Sequence, residues 1–275
     1  MFKMMFGILA AALCLAACGG GDSGNPQATS KALTISMYGK PIVAAPTAVA
    51  HEQFSLISNA EAADAPTNAS DTQATVQSLQ EALAARGVTS NITPQVMDGT
   101  TLHQLVTDQY NGVAPSQSLL TKDPSEWVIV NFQLDDMVTP DIDPAQVAAT
   151  EQFTQDLLVF SQWAAVAGKR VFVIMPIITC DTFYSASLGL TNAITNARGN
   201  GAPVTMIVAQ APGFSFDPSG NLIPGQDTSH MGADCRTPDA YLQNLVVGAT
   251  ADMIAEGYKE AQAASAASGA SASGT

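Results

Sequence analysis

The fold of this chain is decided by the stretch Trp127-Val128-Ile129-Val130-Asn131-Phe132, which is continuously apolar up to its polar end. A strand with one face in water alternates apolar and polar residues, whereas a strand buried on both faces forms an unbroken apolar run. Two similar runs follow, at Val171-Phe172-Val173-Ile174-Met175-Pro176 and at Val204-Thr205-Met206-Ile207-Val208. The pattern predicts strands of a mostly parallel sheet that is covered on both faces.

Helical patterns separate these strands. A β-rich alternating run at residues 32–38 predicts the first strand, and residues 88–97 form a poorer strand because Pro94 interrupts them. Helices are predicted at residues 71–86, 102–106, 144–167, 188–198 and 238–258. Strands and helices alternate at α/β spacing, so we predict a single three-layer α/β/α domain over residues 32–260, with a disordered Ala/Ser/Gly tail over residues 261–275.

The main candidate for chemistry is the stretch Gln226-Asp227-Thr228-Ser229-His230-Met231, in which an acid precedes one of only three histidines by three residues. That spacing lets the two side chains meet. A carboxylate bonded to one ring nitrogen fixes the tautomer and leaves the other nitrogen basic, as a general base requires. The alternative is a surface turn in which Asp227 caps a loop and His230 is solvated. We expect the His230 loop to lie with Gly39, Asp135 and Pro176 at the carboxyl edge of the sheet, where α/β proteins bind ligands.

The first residues predict the cellular location. Residues 1–17 have the features of a signal peptide, with Lys3 ahead of an apolar run and small residues at the cleavage site. The end of this segment, Leu15-Ala16-Ala17-Cys18, resembles a bacterial lipobox, so Cys18 would carry lipid and residues 18–31 would be a flexible tether. An ordinary secretory signal or a short transmembrane helix are the alternatives, but the run is too short to span a bilayer. We expect a lipid-anchored protein of the bacterial envelope that faces the periplasm, with Gly19 favouring the outer membrane.

Charge and cysteine content limit the partners. A net charge of −14 and a pI near 4.2 argue against nucleic acid and against an anionic bilayer as binding surfaces, since both need clustered Lys and Arg. Cys14 leaves with the signal and Cys18 is taken by lipid, so Cys180 and Cys235 remain as an even pair and predict a disulfide in an oxidising periplasm. The sequence has no Cys-x-x-Cys or paired-histidine spacing, and we expect no metal and no cofactor.

Three further residues are weaker candidates for a functional role. Lys40 could donate to an anionic ligand, although a lysine in a turn is more often a solvated charge. His103 is expected to be a partly packed surface histidine on a helix, and His51 lies in a long loop with no acid in register. Neither histidine is expected to be a catalytic base.

The order of elements and four short motifs resemble the SGNH, or GDSL, hydrolase family of esterases and lipases over residues 33–258. Tyr38-Gly39-Lys40-Pro41 occupies the place of the family's Gly-Asp-Ser nucleophile turn, and Val96-Met97-Asp98-Gly99-Thr100-Thr101 is similar to its second block. Gln133-Leu134-Asp135-Asp136 stands where the family has Gly-x-Asn-Asp. Asp227-Thr228-Ser229-His230 matches its Asp-x-x-His block in spacing, type and context. The resemblance implies a flavodoxin-like sheet and an ester hydrolase site.

Several family positions are altered, and the resemblance therefore implies impaired catalysis. Pro41 in the serine position has neither the attacking hydroxyl nor the N–H that would donate to the oxyanion. Asp135 replaces a donor with an ionised acceptor, and losing one such donor costs about two to three orders of magnitude in rate. Val96 stands where the donor glycine belongs. What remains is the Asp227–His230 dyad beside a ligand crevice formed by Gly39, Lys40, Gly99, Asp135 and Asp136.

Two functions are compatible with these residues. The first is a non-catalytic binding or scaffold lipoprotein, tied to the membrane through lipid on Cys18, whose crevice of Asp135, Asp136 and His230 takes a small polar or cationic ligand. The alternative is an active ester hydrolase, such as an esterase, lipase or carbohydrate-ester deacylase, that uses the dyad with an unrecognised nucleophile. The ligand or substrate would then be an envelope ester or glycan.

Overall fold

A computed structural model describes residues 31–45, 67–97, 99–107 and 116–272 of the protein. The predicted signal peptide, Cys18, the tether as far as residue 30, His51 and Asp98 lie outside the described residues. The description below concerns the unit Lys31–Thr275.

Within the described residues, one five-stranded sheet forms the centre of the domain. Its strands are β1 (Leu33–Gly39), β2 (Ser90–Val96), β3 (Trp127–Asn131), β4 (Arg170–Ile174) and β5 (Val204–Ile207). The order is β2-β1-β3-β4-β5, and every pair is parallel. The stretch that predicted the sheet is its central strand, with Val128, Ile129 and Val130 completely buried.

Helices cover both faces of the sheet, as the unbroken apolar strands require. They are α1 (Thr67–Ala84), α2 (Leu102–Val106), α3 (Ser116–Lys122), α4 (Pro144–Val166), α5 (Ala186–Gly199) and α6 (Ala240–Ala272). Val128 and Val130 point to the face packed by α2 to α5, whereas Trp127 and Ile129 point to the face packed by α1 and α6. This alternation follows from the two-residue period of a strand. The prediction of a three-layer parallel α/β domain is confirmed.

Strand β2 contains a proline because it is an edge strand. Pro94 pairs only with β1, and an edge strand is where a residue without an N–H is tolerated. The register shifts next to it, so that Met37 pairs with Pro94 but Tyr38 pairs with Val96. The interruption seen in the sequence is therefore a local irregularity inside a true strand.

The predicted disordered tail is wrong for most of its length. Helix α6 continues to Ala272 instead of fading after Tyr258. Alanine has the highest helix propensity, and the segment from residue 259 to 267 contains neither Gly nor Pro to end the helix. Low sequence complexity was a poor guide to order in this case.

Candidate functional site

A cavity of about 390 Å³ lies at the carboxyl ends of the strands, and we call it the edge cavity. Its apolar walls include Pro41, Ile42, Val43, Met137, Ile174, Met175, Pro176, Ile177 and Val246. Its polar lining consists of Lys40, Asp71, Asn131, Gln133, Thr179, Ser187, Arg236 and Gln243. A concavity at this edge that combines apolar walls with polar groups is a common form of a small-molecule site.

The turn after β1 forms one wall of the edge cavity and can be made only with glycine at residue 39. Gly39 has φ 101°, and a β carbon there would lie 2.4 Å from the backbone carbon of Asn131. Asn131 fixes the backbone of Lys40, the residue after Gly39, through two hydrogen bonds. The Asn131 carbonyl accepts from Lys40 N at 2.8 Å, and Asn131 Nδ2 donates to Lys40 O at 2.8 Å. The exposed Lys40 side chain is thereby anchored at the rim of the cavity.

The backbone N–H groups of this turn are all committed to protein partners. Pro41 has none, and a single hydroxyl oxygen, Thr75 Oγ1, accepts from both Ile42 N and Val43 N at 3.0 Å. Ala44 N donates to Gln243 Oε1 at 3.1 Å, and Ala45 N donates to Asp71 Oδ1 at 2.7 Å. An oxyanion hole needs N–H groups that point at the developing charge. From residue 40 to residue 45 no amide is available for that task.

The hydroxyl groups in the cavity wall are likewise engaged with each other. Ser187 Oγ accepts from Thr179 N at 3.0 Å and lies 3.1 Å from Thr179 Oγ1 and 2.9 Å from Ser185 Oγ. Thr179 Oγ1 donates to Asp181 at 2.6 Å. Ser185 is the N-cap of α5, where its oxygen accepts from Leu188 N. The network fixes the loop between β4 and α5 and places no hydroxyl beside a histidine.

Arg236 brings a second cation to the cavity, and the sequence analysis missed it. Its Nε donates to Asp181 Oδ2 at 2.8 Å. The disulfide Cys180–Cys235 joins the residues immediately before these two, with a Cα–Cα distance of 5.0 Å. The predicted disulfide is therefore present, and it ties the loop that supplies Asp181 to the loop that supplies Arg236.

The predicted pairing of His230 with Asp227 is wrong. His230 Nδ1 lies 2.9 Å from Asp239 Oδ2, and the ring stacks on Tyr241 with centroids 4.2 Å apart. Asp227 instead closes a turn by accepting from Ser229 N at 3.0 Å, and hydrogen bonds from Ser229 hold the pKa of Asp227 below its usual range. This local bond satisfies the carboxylate within two residues, which is the common behaviour of Asp in turns.

Asp239, the acid that pairs with His230, could have been identified from the sequence by its position as a helix N-cap. It directly precedes α6, accepts from Leu242 N at 3.1 Å, and donates its own N–H to His230 O at 2.9 Å. Asp is a preferred N-cap residue, so the capping pattern marked this carboxylate. Since an ionised carboxylate only accepts, Nδ1 carries the proton and Nε2 is the basic nitrogen. His230 is not among the residues that line the edge cavity.

The other predicted crevice residues are dispersed. Asp136 accepts from Val138 N and Thr139 N at 2.7 and 3.0 Å, and bonds from Thr139 hold the pKa of Asp136 below its usual range. Asp135 lies in a separate shallow depression. A β carbon added at Gly99, which has φ 97°, would meet no atom within 4 Å. Of the five predicted crevice residues, Lys40 lines the edge cavity, and Gly39 positions it.

His103 proves to have an acid partner as well. Its Nδ1 lies 3.0 Å from Asp156 Oδ2, in the same depression as Asp135. The His103 side chain is 45% exposed, as expected for a surface histidine, while that of Asp156 is only 6% exposed. A histidine–carboxylate pair is thus not by itself a sign of catalysis in this protein.

The described part of the chain has neither a cluster of metal-ligating side chains nor a membrane-spanning helix. Among the described residues, no group of three or more His, Cys, Asp and Glu side chains is suited to hold a metal ion. None of the described helices combines the length and apolar character that a membrane span needs.

Comparison with solved structures finds similarity at low sequence identity to the following proteins. A candidate SGNH hydrolase from Slackia heliotrinireducens is 13% identical with a TM-score of 0.49, and the match covers 81% of this chain and 99% of that one. The esterase EstA from a Pseudoalteromonas species is 15% identical over 82% of this chain and 98% of its own, with a TM-score of 0.48. A candidate G-D-S-L lipolytic protein from Desulfitobacterium hafniense is 12% identical over 80% of this chain and 98% of its own, with a TM-score of 0.41.

No protein-family model and no curated protein sequence matches the chain.

Proposed function

We propose that this protein is a non-catalytic ligand-binding or scaffold protein with an SGNH-hydrolase-like domain, in which the edge cavity holds a small polar ligand. The observation that carries the proposal is the turn from residue 40 to residue 45. It has Pro41 where the family has its nucleophile, and each of its N–H groups is bonded within the protein. A turn with neither an attacking hydroxyl nor a free N–H group lacks two contributions on which ester hydrolysis by this family depends.

The position of His230 supports the same conclusion. The ring is bonded to Asp239, stacked on Tyr241 and absent from the lining of the edge cavity. Among the described residues, no serine or threonine hydroxyl is bonded to its ring. The pair is well explained as a device that holds the loop before α6 against the start of that helix.

We also propose that the protein is anchored to the bacterial envelope through lipid on Cys18, facing the periplasm. The support for this comes from the sequence of residues 1–31 and from the disulfide, a bond that persists in oxidising compartments. Growth with an alkyne-tagged palmitate tests the anchor. We expect labelling of the wild-type protein and none of Cys18→Ser, and an unlabelled wild type would contradict the anchor.

An active ester hydrolase is the second candidate, and one observation favours it. The bond from Nδ1 to Asp239 leaves Nε2 of His230 basic, and the side chain is 38% exposed, so the ring can receive a proton. A nucleophile would have to come from the substrate, from water, or from residues outside the described part of the chain.

Hydrolysis of p-nitrophenyl acetate and labelling by a fluorophosphonate probe separate the two candidates. The proposal expects no labelling and no rate above that of a His230→Ala variant. His103→Ala is the matched control, because it removes the other histidine–aspartate pair. Labelling that is lost in His230→Ala but kept in His103→Ala would establish the hydrolase instead.

A further inference from the structure

The polar groups of the edge cavity that remain free for a ligand are mainly donors. Asn131, Thr179, Ser187 and Gln243 are bonded to the protein, as described above. Asp71, the carboxylate among the described lining residues, accepts from Ala45 N. Lys40 Nζ and the amide of Gln133 have no recorded partner among the described residues. The described lining therefore offers unpartnered donors at Lys40 and Gln133, and its two cations, Lys40 and Arg236, outnumber its one carboxylate, Asp71, in a protein whose net charge is −14.

Arg236 is built to present its guanidinium. Asp181 accepts a hydrogen bond from Nε, whereas the two terminal nitrogens form none within the described residues, and these nitrogens form the edge that binds an oxyanion in a two-pronged arrangement. The carboxylates of Asp136 and Asp234 also interact with the guanidinium charge, without a hydrogen bond to it. The Asp181 side chain is only 11% exposed, so the anchoring bond lies largely behind the arginine, away from water. The negative charge of Asp181 partly offsets the positive charge of Arg236. Lys40, at the rim of the cavity, has no carboxylate within ion-pair distance in the described part of the chain.

The residue before Arg236 has a strained backbone conformation. Cys235 has φ 58°, the one non-glycine residue of the described chain with positive φ. The disulfide and the bond from Cys180 N to Cys235 O, at 3.0 Å, hold this conformation. Strained residues of this kind cost about 1–3 kcal/mol and concentrate where a side chain has to be aimed.

We propose that the edge cavity binds an organic anion, in which a carboxylate or phosphate group lies between Arg236 and Lys40 and an apolar body packs on the walls. This rests on the proposed ligand-binding function and names its ligand class. It replaces the small polar or cationic ligand expected from the sequence, because Asp135, Asp136 and His230 do not line the cavity. The apolar walls, which include Ile42, Ile177 and Val246, favour a ligand with a hydrophobic part over a fully hydroxylated one.

Four ligands of one shape test the inference by titration calorimetry on the purified full-length protein: benzoate, phenyl phosphate, benzyl alcohol and benzylamine. We expect saturable millimolar binding of benzoate or phenyl phosphate, and the tighter of the two identifies the anionic group. Benzyl alcohol should bind at least about tenfold more weakly, since it cannot form charge-assisted bonds. Raising the salt concentration should weaken the binding of the anion.

Charge-removing variants assign the site. Arg236→Gln and Lys40→Gln should each weaken the binding of the anion by about tenfold, whereas Arg198→Gln, at the end of α5 and away from the cavity, should bind as the wild type does. Lys40→Gln alters an exposed rim residue, so it stays informative even if Arg236→Gln fails to fold.

Three outcomes would overturn the inference: equal or tighter binding of benzylamine, no saturable binding of either anion, or unchanged binding by the Lys40 variant. None of them touches the question of catalysis. Fluorophosphonate labelling would contradict the proposed non-catalytic function instead. The binding measurements on the Arg236 and Lys40 variants would still show whether the cavity binds an anion.

Discussion

At the residue scale, Gly39 shows how one position sets the site. It combines φ 101° with a backbone approach that leaves no room for a β carbon. Gly39→Ala should lower the free energy of unfolding by more than about 2 kcal/mol, because strain and overlap add. Gly87→Ala, at φ 78° with nothing within 4 Å, is the control and should cost only about 1 kcal/mol. Equal losses in urea denaturation would show that the close approach to Asn131 is unimportant.

Lys169 is the buried charge of the domain core. Its side chain is 3% exposed, and Nζ donates to Asp123 O at 2.7 Å and lies 3.7 Å from Asp123 Oδ2. Lys169→Met should cost about 3–5 kcal/mol, because it leaves Asp123 buried without its partner. Lys31→Met, which breaks an ion pair with Glu126 that is 78% exposed on the lysine side, should cost less than about 1 kcal/mol. Thermal and urea denaturation of both variants would measure the difference. If Lys169→Met lowers the free energy of unfolding by no more than Lys31→Met does, the argument from burial is contradicted.

At the scale of elements, Asp239 links the His230 loop to α6. The bond from His230 and the N-terminal amides of the helix hold the pKa of Asp239 below its usual range. A depressed carboxyl pKa contributes stability that is present above the unfolded value of about 3.9 and is lost as the pH falls through the folded value. In His230→Ala the pKa of Asp239, followed by carboxyl NMR, should rise toward its ordinary value. An unchanged titration would mean that the helix start alone lowers it.

The disulfide joins two loops rather than two regular elements. Cys180 and Cys235 are 55 residues apart, and closing a loop of that size stabilises the folded state by about 4 kcal/mol in the chain-entropy model. The double variant Cys180→Ser/Cys235→Ser should lose stability of that order and bind the anion more weakly, since Arg236 and Asp181 are no longer held together. Reductant should reproduce both effects in the wild type and change nothing in the double variant. A double variant as stable as the wild type would contradict this role.

At the scale of the whole molecule, the proposed absence of ester hydrolysis depends on several elements rather than on one residue. Pro41→Ser restores a hydroxyl at the family position but frees neither Ile42 N nor Val43 N from Thr75, and it does not bring His230 into the cavity. We therefore expect Pro41→Ser to hydrolyse p-nitrophenyl acetate no faster than the wild type. A burst of p-nitrophenol together with fluorophosphonate labelling in this variant would show that one substitution had silenced an otherwise intact site.

The sequence by itself determined the layers, the strands and the place of the cavity. Unbroken apolar runs such as Val128–Val130 can be buried only between two helical layers, and a parallel sheet has its ligand edge at the strand ends. Pairing of Cys180 with Cys235 followed from their being the two cysteines left over. These predictions depend on the burial of apolar runs and on the number of cysteines, and both can be read directly from the sequence.

Only the tertiary structure decided which side chains meet. Asp227 and Asp239 are both close enough in sequence to reach His230. Asp239, which also caps α6, forms the bond to the histidine, whereas Asp227 accepts a hydrogen bond within its own turn. Arg236 reached the edge cavity because a disulfide and Asp181 hold its loop there, a contact across 55 residues that no short motif records. Side-chain partners depend on such long-range packing and on competition for each hydrogen bond, so spacing in the sequence predicted the edge but not the charge of the site.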